Sequence, residues 1–293
     1  MKAGYITIVG RPNVGKSTLL NHMIGQKISI TSRRPQTTRH RIIGIKTTPE
    51  AQMIFMDTPG IHLNQQRAMN RYLNQAATSS LSGVDIVIWM TDRIEWHPED
   101  ELVFKTIRAL DIPIILLLNK VDRLEEKSRI LPWLHAASER HAFADIIPLS
   151  ALKGDNMTQL EERITALLPH SELIYPEDQM TDRSERFMAA EIIREKLLRS
   201  LGQEVPHALT VEIERFKQDK NIIRINGLIW VEREGQKAIV IGQRGEVLKK
   251  VGERSRIDLE KMLDSKVYLE LWVKVKKGWS DDERALHSLG YVG

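Results

Sequence analysis

The chain has 293 residues, 42% of them hydrophobic and 28% charged, with a formal net charge of +4, a composition that fits a folded protein of two domains. It contains no cysteine, which excludes disulfides, thiolate metal sites and a cysteine nucleophile. No apolar run approaches the ~18 residues that span a bilayer, and Ile174 to Gly293 carries 22 Lys and Arg against 21 Asp and Glu, so the charge is not polarised between halves and a nucleic-acid reading must rest on local placement.

In chain order, Tyr5 to Val9 reads as an apolar strand that runs directly into Gly10-Arg11-Pro12-Asn13-Val14-Gly15-Lys16-Ser17 and a helix opening near Ser17. With a strand this early, no signal or transit peptide and a cytoplasmic location are expected. The glycines let backbone N–H groups close around phosphates, and the helix N-terminus adds its positive end. Lys16 is placed to reach β- and γ-phosphates and Ser17 to ligate Mg²⁺. Asn13 is a candidate ligand for a monovalent cation such as K⁺, though an asparagine tolerating a tight turn explains it equally well.

Ser32 to Arg41 (SRRPQTTRHR) is polar and proline-containing, as a mobile loop should be. One threonine here should complete the Mg²⁺ shell and meet the γ-phosphate, Thr38 before Thr37. Arg33, Arg34, Arg39 and Arg41 fit a solvated basic loop or an RNA contact better than an arginine finger. The next strand, Gln52 to Asp57, delivers Asp57 to Mg²⁺, and Thr58, Pro59 and Gly60 follow, with the Gly60 N–H available to the γ-phosphate. Release of that contact on phosphate loss is how a switch segment works. Lys16, Thr38 and Gly60 are the residues expected to carry catalysis.

Strands at Val84 to Met90, Ile112 to Asn119 and Asp145 to Pro148, with helices between, describe a mostly parallel α/β sheet whose ligands sit at the strands' carboxyl ends. The Ile112 strand hands over to Asn119-Lys120-Val121-Asp122, and the Asp145 strand to Ser150-Ala151-Leu152. The Asp122 carboxylate can accept from the ring N–H and exocyclic amine of guanine, a donor pair adenine lacks. Asn119 should tie this loop to the phosphate loop, Lys120 cover the base, and the Ala151 N–H meet the guanine oxygen. Many small GTPases place glutamine after the switch glycine to orient water; Ile61 stands here, so hydrolysis should rely on backbone groups, Mg²⁺, a second cation or a partner.

The amphipathic helix Met157 to Leu168 ends the nucleotide domain, and Pro169 to Thr181 reads as a linker. Ser184 is a plausible N-cap for a helix through Leu201. Alternating residues from Leu209 and from Ile223 to Val231 give two strands, Gln236 to Ile241 a short helix, Glu246 to Met262 a longer one, and Val267 to Val275 a final strand. Between the two helices lies Gly242-Gln243-Arg244-Gly245, the clamp of a type II KH fold, which brings backbone N–H groups against single-stranded nucleic acid. Ile239, Val240 and Ile241 supply an apolar groove, while Arg244, Lys249 and Lys250 face phosphate; a solvated helix face would explain the lysines equally well. Tyr268, Trp272, Lys274 and Lys276 fit sheet packing better than a docking surface. The tail from Trp279 is polar and of unassigned purpose, and the nine histidines show no metal-ligand spacing.

Taken together, GRPNVGKSTLLN, QTTRHRIIG, DTPGIH, NKVD and SAL, followed by a C-terminal KH pattern, resemble the bacterial Era family of GTPases over essentially the whole chain. The resemblance implies a P-loop GTPase domain at residues 1–168, a linker at 169–183, an α+β type II KH domain at 184–277 and a tail at 278–293. It implies slow GTP hydrolysis with Mg²⁺, rRNA binding near the 3′ end of the small-subunit rRNA, and a role in 30S ribosomal subunit assembly. A cytoplasmic monomer, peripheral at the inner membrane, is expected with it. Two other classes stay open: an RNA-binding scaffold with structural nucleotide, and a membrane-associated GTPase regulating growth.

Overall fold

The computed structural model describes residues 1–32, 34, 37–60, 68–201, 209–288 and 291. It divides into two compact units: Met1–Ser29, Thr38–Gln65 and Asn70–Asp182 form one, and Ile30–Thr37, Gln66–Met69 and Arg183–Gly293 the other.

The first unit is a six-stranded sheet in the order β2-β3-β1-β4-β5-β6. Its strands are β1 (Lys2–Val9), β2 (Ile42–Thr47), β3 (Ala51–Asp57), β4 (Ile86–Thr91), β5 (Ile114–Leu118) and β6 (Asp145–Pro148). All pairs are parallel except β2 with β3. Strands β3, β4 and β5 are buried along their whole length, as a sheet covered on both faces requires. Helices α1 (Lys16–Ile24), α2 (Ala68–Ser79), α3 (Pro98–Ile107), α4 (Ile130–Arg140) and α5 (Met157–Leu167) alternate with the strands. A core running from Ile54 through Val87 and Trp89 to Leu116 and Trp133 fills the space between layers.

Strand β2 is absent from the sequence reading. It is an antiparallel edge strand beside a polar loop, and its free edge is occupied by residues read as a linker. The Ile45 N–H donates to the Met180 carbonyl (2.8 Å) and the Thr181 hydroxyl to the Ile43 carbonyl (2.7 Å). Buried Gln52 accepts from the N–H groups of Ile174 and Tyr175 and donates to the Tyr175 carbonyl. Covering an edge in this way removes a template for unwanted pairing, and it makes residues 174–181 part of the first unit.

The second unit packs α6 (Glu185–Ser200) and α8 (Glu246–Leu263) on a three-stranded sheet of β7 (Leu209–Asp219), β8 (Ile222–Val231) and β9 (Lys266–Val275). Strands β7 and β8 are antiparallel, β8 and β9 parallel. The Ser184 hydroxyl caps α6 by accepting from the Phe187 N–H. Helix α7 (Glu234–Ile241) ends at Gly242, and α8 begins four residues later, at Glu246. The tail, polar by composition, is packed: Trp279 is 0% exposed, its ring stacks on Tyr291, and the Tyr291 hydroxyl bonds that of Thr210 (2.9 Å). A last helix, α9 (Glu283–Ser288), buries Ala285 and Leu286.

Candidate functional site

Phosphate-binding geometry begins where β1 stops. Gly10 and Gly15 have φ of 154° and 115°, and Asn13 one of 65°. A Cβ at Gly15 would lie 2.3 Å from Asn119 Nδ2, so only glycine lets the Asn119 side chain close over this loop. Lys16 folds back to donate to the carbonyls of Gly10 (2.9 Å) and Arg11 (3.1 Å). It is 7% exposed, and burial lowers its pKa from 10.5 to about 8 despite the opposing pull of Asp57.

Beside it lies a cluster of hard oxygen donors. The Ser17 hydroxyl is 2.7 Å from Asp57 Oδ2 and 2.8 Å from the Thr38 hydroxyl, and Ser29 donates to the same Oδ2 at 2.8 Å. Asp57 is 0% exposed, burial raises its pKa, and its Oδ1 has no hydrogen-bond partner among the described residues. A buried carboxylate with one idle oxygen and two hydroxyls within reach is the donor set Mg²⁺ prefers. Thr37 is turned elsewhere, its hydroxyl bonded to Ser32 (2.6 Å) and the Arg34 carbonyl (2.6 Å).

Thr58 donates to the Ile8 carbonyl (3.1 Å), which fastens the end of β3 to β1. Pro59 and Gly60 are buried, and a Cβ at Gly60 would meet Pro12 N at 2.9 Å, so this backbone runs against the phosphate loop. Ile61 and Arg33 lie outside the described residues. Arg39, read from the sequence as part of a solvated loop, is 1% exposed. Arg34 donates to the Leu201 carbonyl.

At the other end of the site, Asn119 donates to the Val14 carbonyl (2.7 Å) and accepts from the Ala151 N–H (2.9 Å), joining three loops. The Ala151 N–H, assigned from sequence to a guanine oxygen, is thus engaged by Asn119. Ser150 donates to Asp122 Oδ1 (2.7 Å) and orients that carboxylate. Lys120 donates to the Asn13 carbonyl (2.7 Å). The Leu152 side chain is 66% exposed, and Thr18 is half-buried on α1. Sequence reasoning missed Asp92, which bonds both Arg11 and Lys120. Its signal was position: an acidic residue directly after a central parallel strand.

In the second unit, Gly242 has φ 74° and Gly245 φ 81°, and Arg244 itself sits in the left-handed region at φ 51°. Gln243, Arg244, Lys249 and Lys250 are exposed around the turn, while Ile241 is half-buried behind it and Val240 fully buried. Among the described residues no cluster of His, Asp or Glu could hold a metal ion, and no helix is long and apolar enough to cross a membrane.

The family model described as "50S ribosome-binding GTPase" matches residues 5–120, and the KH domain model residues 204–280. A protein named GTPase Era from Ectopseudomonas mendocina is 57% identical over 291 residues, covering 99% of this chain and 97% of that protein. The GTPase Era of Marinobacter nauticus is 55% identical over 289 residues, covering 99% and 95%. Among solved structures, a point variant of Aquifex aeolicus Era bound to GDP·AlF4⁻ matches with a TM-score of 0.97 at 40% identity, over 100% of both chains. Era in complex with MgGDPNP and nucleotides 1506–1542 of 16S ribosomal RNA matches with a TM-score of 0.96, also at 40% identity and full coverage.

Proposed function

Because the chain belongs to the Era family of GTPases, we propose that it binds GTP with Mg²⁺, hydrolyses it to GDP and phosphate, and binds the 3′ end of 16S rRNA to assist 30S subunit assembly. The observation that carries the catalytic half is the Ser17, Thr38 and Asp57 cluster beside Lys16, with Asp57 Oδ1 idle and buried. In this reading the backbone from Gly10 to Thr18 surrounds the phosphates, Lys16 leaves its two carbonyls for phosphate oxygens, and Ser17, Thr38 and Asp57 hold the ion. Mg²⁺ held there would neutralise negative charge on the phosphates. Thr58, fastened to Ile8, and Pro59 would present the Gly60 N–H to the γ-phosphate. Asp122, held by Ser150, selects guanine; Lys120 covers the base, and Asn119 with Ala151 and Leu152 closes the loop behind it.

The RNA half rests on the Gly242 to Gly245 turn, around which Gln243, Arg244, Lys249 and Lys250 are exposed, with half-buried Ile241 directly before it. Residues 1–168 serve as the nucleotide domain, with 174–181 fastened to its edge strand, and 184–277 as the RNA domain, on which the tail from Trp279 packs. The same reading carries a monomeric cytoplasmic protein with peripheral contact at the inner membrane. Crosslinking the GTP-bound protein to RNA in cells, then sequencing what is recovered, tests the proposal. Enrichment of the 16S rRNA 3′ end, lost in Gly245→Asp, is expected; recovery of unrelated RNA overturns the partner, and a Lys16→Ala protein that still hydrolyses GTP overturns the site.

A further inference from the structure

The acidic residue after β4 uses both of its oxygens on groups from different loops. Asp92 Oδ1 accepts from Arg11 Nη2, in the phosphate loop, and Asp92 Oδ2 accepts from Lys120 Nζ, in the guanine loop, at 2.5 Å. Side chains of Asp92 and Arg11 are only 8% and 14% exposed, so the pair is weakly screened by salt. Arg11 is held from a second side, its Nε lying 3.3 Å from Oδ2 of Asp100 at the start of α3. Lys120 needs holding too: its backbone sits at φ 65°, a left-handed conformation that a residue with a side chain keeps only when its surroundings fix it.

We propose that Asp92 is a positioning residue of the nucleotide site, an ionic brace that fixes the spacing between the loop that takes the phosphates and the loop that takes the base. This rests on assigning Gly10 to Ser17 and Asn119 to Asp122 to the nucleotide. A ligand that engages both loops at once gains from a spacing set in advance, because the ordering is complete before it arrives. A ligand engaging one loop gains little.

The test is dissociation of a fluorescent GDP from the full chain in wild type, Asp92→Asn, Arg11→Gln and the double variant, with competition by guanosine. Asp92→Asn keeps the shape and removes the charge. It should speed GDP release about tenfold, as expected for loss of a charge-assisted hydrogen bond, while guanosine affinity stays within about twofold. Arg11→Gln should act alike, and the double variant should release GDP no more than about twofold faster than the single ones. If Asp92→Asn does not fold, Arg11→Gln carries the same comparison from the other end. GDP release unchanged, guanosine and GDP weakened equally, or fully additive effects would each overturn the brace. Asp122→Ala is the control for the underlying site: if it too binds GDP like wild type, the loop assignment falls; if it weakens GDP while Asp92→Asn does not, the brace alone falls.

Discussion

Lys16 shows how a single buried cation turns into a measurable property. In the free protein its pKa is about 8 instead of 10.5, because burial disfavours the charged form more than Asp57 favours it. The unfolded chain therefore binds the proton more tightly, and this group's contribution to stability rises with pH between about 8 and 10.5. Nucleotide affinity runs the other way, since phosphates need the ammonium. Raising the pH from 7 to 9 should weaken GDP binding about tenfold, with proton uptake visible as a buffer-dependent calorimetric enthalpy; Lys16→Ala should lose the uptake. Constant affinity across this range would show that Lys16 stays charged. The two neighbouring threonines separate as sharply. Thr38 shares the Ser17 and Asp57 cluster, whereas Thr37 is bonded to Ser32 and Arg34. Thr38→Val should reduce Mg²⁺-dependent preference for GTP over GDP by about tenfold, the scale of one lost polar contact to a charged group, and Thr37→Val should leave it within about threefold. Equal effects would place both side chains at the ion.

At the scale of elements, what could be read in advance was what local chemistry dictates. The parallel strands announced themselves as short apolar runs ending in polar motifs, and the phosphate loop by its strand, glycines and helix in order. What escaped depends on distant partners: β2 is recognisable only once β3 pairs with it, the linker is fastened by Gln52 from another strand, and Trp279 is buried by packing that no periodicity in the tail foreshadows. Asp92 escaped because its two cationic partners lie 81 and 28 residues away. The clamp between α7 and α8 was legible by its glycines, and the structure gives them separate roles. A Cβ at Gly242 would meet Val247 Cγ2 at 2.4 Å, whereas one at Gly245 meets nothing within 4 Å. Gly245→Asp meets no neighbour and should fold, at the cost of about 1 kcal/mol for holding a side chain at φ 81°, while placing a negative charge against the RNA backbone. A loss of RNA affinity of about tenfold or more with a thermal midpoint lowered by only a few degrees is expected. Arg244→Gly should trade the left-handed strain of φ 51° for glycine's unfolded-state entropy and leave stability nearly level. It should lower the salt slope of RNA binding by about one. A slope identical to wild type would remove Arg244 from the phosphate contacts.

For the whole molecule, the informative place is a single peptide bond. The chain passes from the second unit to the first between Thr37 and Thr38. On one side the Thr37 carbonyl accepts from Arg194, a buried α6 residue whose guanidinium is also forked onto Glu191. Six residues earlier, Thr31 is held by the same helix, its N–H donating to Glu195 (3.0 Å) and its carbonyl accepting from Arg199 (3.0 Å). On the other side, the Thr38 hydroxyl belongs to the cluster assigned to Mg²⁺. Adjacent Cα atoms across a trans peptide stay about 3.8 Å apart, so a displacement of Thr38 when the γ-phosphate departs must be absorbed within Thr37 or passed to its bond with Arg194. A nucleotide can change RNA affinity only to the extent that it favours one of two states over the other. Arg194→Lys keeps a positive charge near Glu191 and so avoids leaving a buried carboxylate without its partner, yet an ammonium cannot serve both Glu191 and the Thr37 carbonyl in the forked geometry of arginine. We propose that GTP and GDP set different RNA affinities through this bond, and expect the lysine variant to bind GTP and GDP normally and to bind 16S rRNA in the GDP form as wild type does, but to show a much smaller difference between the two nucleotide forms than wild type. Titrating a 3′-end 16S fragment against both forms of each protein measures this directly. A difference preserved in the variant would mean that α6 holds residues 30–37 without transmitting the state of the nucleotide.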